Sequence, residues 1–375
     1  MQIPHFPALI FEDIENKPTS SLGTRVLTMN WVAGSSKNSW QPVMTADTTN
    51  SHYWLNWRAG ICATWILSSV IAASVLIWKY EGSNAARHGR GETQQERVGF
   101  LCDEESWRPC LKEIHPGWLL AFRIVAFFVL LPLLIANTFV DGGGIFYFYT
   151  QWTFTLVIIY FGLGTSLSIY GCYQYLNKVA GDGVEHMRPD AERGMYVGPA
   201  HGVDANRHRM MKNSATREEH CICQIAGIWG YAFQIIYQTC AGAVVLTDSV
   251  FWLIMFPFLE FKDYKLNFLL IVMHSMNAFF LFGDAALNCL RFPWFRISYF
   301  VLWTSLYVIF QWIIHACVSL WWPYPFLDLS LPYAPIWYLV VALLHLPCYA
   351  IFALLIKMKH HFLSRRFPQS FQCLR

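Results

Sequence analysis

The chain has 375 residues, 55% of them hydrophobic and only 14% charged, with 17 Trp, 18 Tyr and 29 Phe and a net charge of +3. Soluble domains carry nearly twice that charged fraction, so composition excludes an ordinary soluble protein. So small a net charge on a chain this long argues for neither nucleic acid nor acidic substrates.

Apolar runs of roughly 20 residues or more, enough to cross ~30 Å of hydrocarbon, recur along the chain. They predict an all-α, multi-pass transmembrane helical bundle of about seven spans: 59–78, 118–138, 146–170, 224–258, 266–289, 297–320 and 335–357. The fourth run is overlong, and Pro257 is expected to end or kink it. In chain order the sequence divides into a Ser-, Thr-, Asn- and Pro-rich tail (1–57), expected to be largely disordered and without a signal-peptide pattern, then a first span and loop (58–117). The transmembrane core (118–357) and a basic tail (358–375) follow. No internal repeat is visible.

Charge placement predicts the orientation. Loops 79–117, 171–223 and 290–296 and the tail after 356 hold 20 of the 27 Lys and Arg, while the N-terminal tail and the alternate loops hold six. With seven spans this bias sets the N-terminus outside or in a lumen and the C-terminus in the cytosol. Arg123, near the start of span two, is expected to snorkel to that cytosolic surface.

Eleven Cys are scattered through the chain, and none lies in an outside loop. Cys102, Cys110 and His115 of the first large loop, with His220, Cys221 and Cys223 before span four, are of the types that bind zinc. Neither Cys pair has the two-to-four-residue gap of a zinc knuckle. Palmitoylated juxtamembrane thiols or plain reduced Cys are the other readings, and no metal or cofactor is expected.

Polar residues within the spans are costly in hydrocarbon unless they pair or face a cavity. In 271–288, IVMHSMNAFFLFGDAALN, His274, Asn277, Asp284 and Asn288 fall within about 80° of helix circumference, so they form one stripe. Span six carries Thr304, Tyr307, Gln311 and His315 on one side. Span four carries Gln234, Gln238 and Asp248, and span three Thr150, Thr153, Tyr160, Gly164 and Ser168. Such faces can enclose a cavity, or they can simply hold helices together. The lone His345 reads as packing; the fifth stripe reads as functional. His274 is expected ~12 Å below the outer boundary, near the depth of Thr150, and a hydroxyl with an imidazole is the minimum of a base-activated nucleophile.

YFYTQWTFTLVIIYFGLGTSLSIY in span three and MHSMNAFFLFGD in span five resemble paired signatures of the rolling stone-like membrane proteins and, more distantly, of the androgen-induced (FAR/AIG-type) family. WWPYPFLDLSLPYAP at 321–335 is also similar, through Tyr324, Pro325 and Asp328. The likeness covers roughly 118–357, a six-span core with one extra N-terminal span, and the rest looks more like plant membrane proteins of unassigned role. The resemblance implies hydrolysis of fatty acyl esters by a Thr and a His, which fall on Thr150 as nucleophile and His274 as base. Asn277 would orient the imidazole, and Trp152 and Tyr160 complete the candidate binding residues.

The expected partners are therefore membrane lipids and a lipid ester substrate. Rival readings are a scaffold or adhesion protein, in which the stripes are packing, and a receptor or transporter. The transporter reading lacks the repeats and paired broken helices usual for that class. GxSxG, HExxH and P-loop motifs are absent.

Overall fold

The computed structural model describes residues 46–82, 102–186, 226–255 and 268–373. Seven helices among them are long and apolar enough to cross a membrane: α1 (Trp57–Ile77), α2 (Pro116–Asp141), α3 (Tyr149–His186), α4 (Ile228–Ser249), α5 (Phe268–Leu287), α6 (Ile297–Cys317) and α7 (Ala334–Arg366). Among the described residues there is no strand beyond two isolated bridges. The chain is an all-α, seven-span membrane bundle.

Local chemistry sets the helix ends. The Asn56 side chain accepts from Ala59 N at 2.9 Å and starts α1. Pro116 opens α2, where its missing N–H costs nothing, and His115 Nδ1 accepts from Gly117 N. Gly142, at φ 75°, ends α2 in a left-handed conformation that a side chain would strain. Pro132 and Pro347 lie inside α2 and α7, as membrane helices permit where neighbours cover the freed carbonyls.

Three elements depart from their expected bounds. α3 continues past 170 to His186, and α7 runs past 357 to Arg366, so the basic tail begins as helix. Beyond α7 the chain turns back: Phe371 bridges Leu111, and Gln372 N donates to the Cys110 carbonyl at 3.1 Å. Regular α4 ends at Ser249 and widens into π-helix over Val250–Met255. Pro257, the tail 1–45 and the loop holding His220, Cys221 and Cys223 lie outside the described residues.

α4 is the most buried span and packs on α3, α5, α6 and α7, whereas α1 is the least buried and packs on α6 and α7. Gly242 lets α4 approach α6 closely; a Cβ there would stand 2.4 Å from the Phe300 ring.

Arg123 does not snorkel. It is fully buried at the basic end of the bundle, with Nε 2.7 Å from Asp284 Oδ1 and Nη1 donating to Ser106 O and Ser168 Oγ, each at 2.7 Å. Tyr160 and Asn288 donate to the other Asp284 oxygen, and the guanidinium lies over Phe233. Asp284 sits on the last turn of its helix, so it meets the cation before Arg123 can reach the surface. Further pairs, Glu105 with Arg291 and Glu81 with Arg296, tie the adjoining loops to this end.

At the opposite end Tyr53, before α1, reaches into the 321–335 segment. Its hydroxyl donates to Asp328 Oδ1 at 2.6 Å and accepts from Trp322 Nε1 and Leu329 N.

Candidate functional site

The stripe on α5 divides between two environments. His274 and Asn277 face α4, where His274 Nδ1 and Asn277 Nδ2 each lie 3.4 Å from Asp248 Oδ1. The imidazole is buried and stacks on Phe251 at 3.8 Å. Asp284 and Asn288 belong to the Arg123 network.

Thr150 faces the buried Tyr324, whose phenol is pushed up by burial while the Thr150 hydroxyl opposes that rise. Among the described residues no hydrogen bond joins Thr150 to His274, and the two have different neighbours. Trp152 donates to Phe146 O at 2.9 Å and packs against Trp303, Tyr307 and Phe310. Tyr160 stacks on Phe233 and bonds Asp284. The five candidates thus fall into four neighbourhoods, with only His274 and Asn277 together.

The stripes on α4 and α6 are largely occupied with packing. Gln234 and Gln238 Nε2 both donate to Arg291 O. Tyr307 and Gln311 donate to Tyr147 O, which fixes the entry of α3, and His315 stacks on Trp322.

Thr304 is the exception. His345 Nε2 lies 2.9 Å from its Oγ1, and the Tyr149 hydroxyl lies 2.8 Å from the same atom. His345 Nδ1 stands 2.8 Å from the Val341 carbonyl of the preceding turn. A carbonyl only accepts, so Nδ1 carries the ring proton and Nε2 is free to take one from Thr304; the tautomer is assigned by this network. Tyr149 then donates to Thr304 Oγ1, whose own proton is shared between His345 Nε2 and the more distant Phe300 carbonyl at 3.2 Å. These are the relations of a base-oriented hydroxyl nucleophile: hydroxyl to base, base to orienting group, and a second donor beside the reacting oxygen.

Thr304 and His345 also line a cavity of about 240 Å³ between α1, α6 and α7, walled by Trp65, Ala73, Val301, Leu327, Tyr338 and other mostly apolar side chains. That volume is below the ~300–1,000 Å³ of drug-sized sites and suits a stretch of alkyl chain rather than a bulky polar head. Its outer wall is α1, the least buried helix, so the cavity lies toward the lipid side of the bundle.

Sequence reasoning placed Thr304 in a stripe and treated His345 as packing. The only signal available for their pairing was a hydroxyl and an imidazole at compatible depths on adjacent spans, and many other residue pairs satisfy that.

The thiols differ from the expected set. Cys102 is disulfide-bonded, while eight other described cysteines are free. Cys110 clusters with Cys289 and Cys373 instead of with Cys102, and His115 caps α2 and packs on Tyr175.

No protein-family model, no curated protein and no solved structure matches this chain.

Proposed function

We propose that this integral membrane protein hydrolyses fatty acyl esters of lipids, with Thr304 as nucleophile and His345 as base, the acyl chain lying in the cavity between α1, α6 and α7. The observation that carries the reading is the 2.9 Å approach of Thr304 Oγ1 to His345 Nε2 at the wall of an apolar cavity. The resemblance to the androgen-induced family supports the same pair of residue types, although it assigns them to Thr150 and His274. The Lys and Arg bias supports an N-terminus outside or lumenal and a cytosolic C-terminus.

In the first step Thr304 Oγ bonds to the ester carbonyl carbon as its proton passes to His345 Nε2. Collapse breaks the carbon–alkoxide bond, and the imidazolium returns that proton to the leaving oxygen. Water then attacks the acyl-threonine, giving its proton to Nε2, and Thr304 leaves with that proton while the fatty acid is released. Tyr149, which donates to Thr304 Oγ1, is placed to turn toward the carbonyl oxygen as it gains charge.

Detergent-purified protein should hydrolyse a long-chain acyl ester. Thr304→Val should reduce turnover to the uncatalysed rate, and His345→Gln should lower it by ~10²–10⁴-fold, the usual worth of a general base. Thr150→Val and His274→Gln should leave it unchanged. Loss of activity only in the second pair would transfer the chemistry to the residues implied by the resemblance. Absence of turnover in the folded wild type would leave the polar stripes as helix packing.

A further inference from the structure

At the basic end three segments distant in sequence meet through backbone pairing. Pro109 bridges Asn288, Leu111 bridges Phe371, and Cys110 N donates to Leu287 O at 2.9 Å. The pairing brings together Cys110, Cys289 and Cys373. All three are buried, their sulfurs lie within 4.8 Å of one another, and Cys373 Sγ is 3.0 Å from Cys110 Sγ.

That separation is far longer than a disulfide bond and shorter than the S···S spacing of about 3.8 Å that tetrahedral Zn–S bonds of ~2.3 Å would set. Small side-chain rotations therefore suffice to surround an ion. His360, on the last turns of α7, faces Cys110. Its Nε2 is buried and makes no hydrogen bond in its present position.

We propose that Cys110, Cys289 and Cys373, with His360 turned inward as fourth donor, form a structural Zn²⁺ site that clamps the first loop, the end of α5 and the returning C-terminus. Three thiolates and one imidazole are the ligand types of closed, tetrahedral zinc sites.

The surroundings suit deprotonated sulfurs. Cys110 donates to Asn288 O and Cys289 to Pro109 O, and both bonds would be given up on metal binding. Neither carbonyl would then be orphaned: Lys359 Nζ donates to Asn288 O at 2.8 Å and Gln372 Nε2 to Pro109 O at 2.8 Å. The ammonium of Lys359 also offsets the single negative charge of a zinc–tris-thiolate centre. Cys102 is not among the clustered sulfurs.

Full-length protein purified in detergent without chelator should contain one zinc per chain by elemental mass spectrometry. Cys110→Ser, Cys289→Ser and Cys373→Ser should each lose it, His360→Ala should bind it at least tenfold more weakly, and Cys317→Ser, at an exposed thiol, should retain it. Should the cysteine variants fail to fold, Co²⁺ exchanged into the wild type gives an independent reading. Thiolate-to-cobalt charge transfer of three Co–S bonds with tetrahedral d–d bands supports the site. Zinc-free wild type that also rejects cobalt, a disulfide between any two of the three cysteines, or zinc retained in a folded Cys289→Ser protein would overturn it.

Discussion

Thr304 Oγ1 and His345 Nε2 lie 2.9 Å apart although 41 residues separate them, and the Val341 carbonyl holds the far side of the imidazole. That carbonyl sets the tautomer, so the base faces the hydroxyl without any carboxylate in the group. A neutral orienting group is sensible where an extra buried charge would need its own partner.

Acyl-chain selectivity follows from the cavity. Ala73 is buried on α1 and lines it. Ala73→Leu should occupy part of the 240 Å³ and shift preference toward shorter acyl esters, raising KM for long chains with little change in kcat for short ones. Comparing kinetics across a series of chain lengths checks this.

The Arg123–Asp284 pair should behave as a fully satisfied structural unit. Asp284→Asn strands a buried guanidinium and should destabilise the protein by ~3–5 kcal/mol. The double variant Arg123→Gln with Asp284→Asn should recover part of that loss. Detergent melting curves of the two singles and the double measure the coupling.

Tyr53 joins the segment before α1 to the 321–335 loop. Tyr53→Phe removes one donor and an acceptor shared by Trp322 Nε1 and Leu329 N, at an expected cost of ~1–3 kcal/mol. A lower melting temperature and faster proteolysis near residue 53 are the expected outcomes.

Orientation determines whether the Cys102 disulfide persists. The cytosol keeps thiols reduced, whereas a lumen allows disulfides to form. The charge bias therefore predicts that Cys102 is recovered as a free thiol from intact cells alkylated before lysis, with a C-terminal tag on the cytosolic side. Recovery as a disulfide, with the C-terminal tag protected, would invert the topology.

All seven spans were legible in the sequence because crossing hydrocarbon demands a long apolar run whatever the tertiary structure. Partner choice was not. Asp284 and Asn288 share a face with His274, yet they lie several turns away and meet Arg123 and Tyr160, because helix periodicity specifies a face without naming the neighbour that covers it. The snorkelling expected of Arg123 failed for the same reason: Asp284, contributed by another helix, supplies a closer partner than the interface. Cys289 and Cys373 escaped notice as a group because backbone pairing between 109–112 and two distant segments has no local signature.

The assignment of Thr304 is tested most directly by trapping the covalent intermediate. Wild-type protein incubated with an activated long-chain acyl ester, quenched and digested, should carry the acyl group on the peptide containing Thr304, and Thr304→Val should carry none. His345→Gln should acylate far more slowly. An adduct on Thr150, or labelling that persists in Thr304→Val, would contradict the assignment.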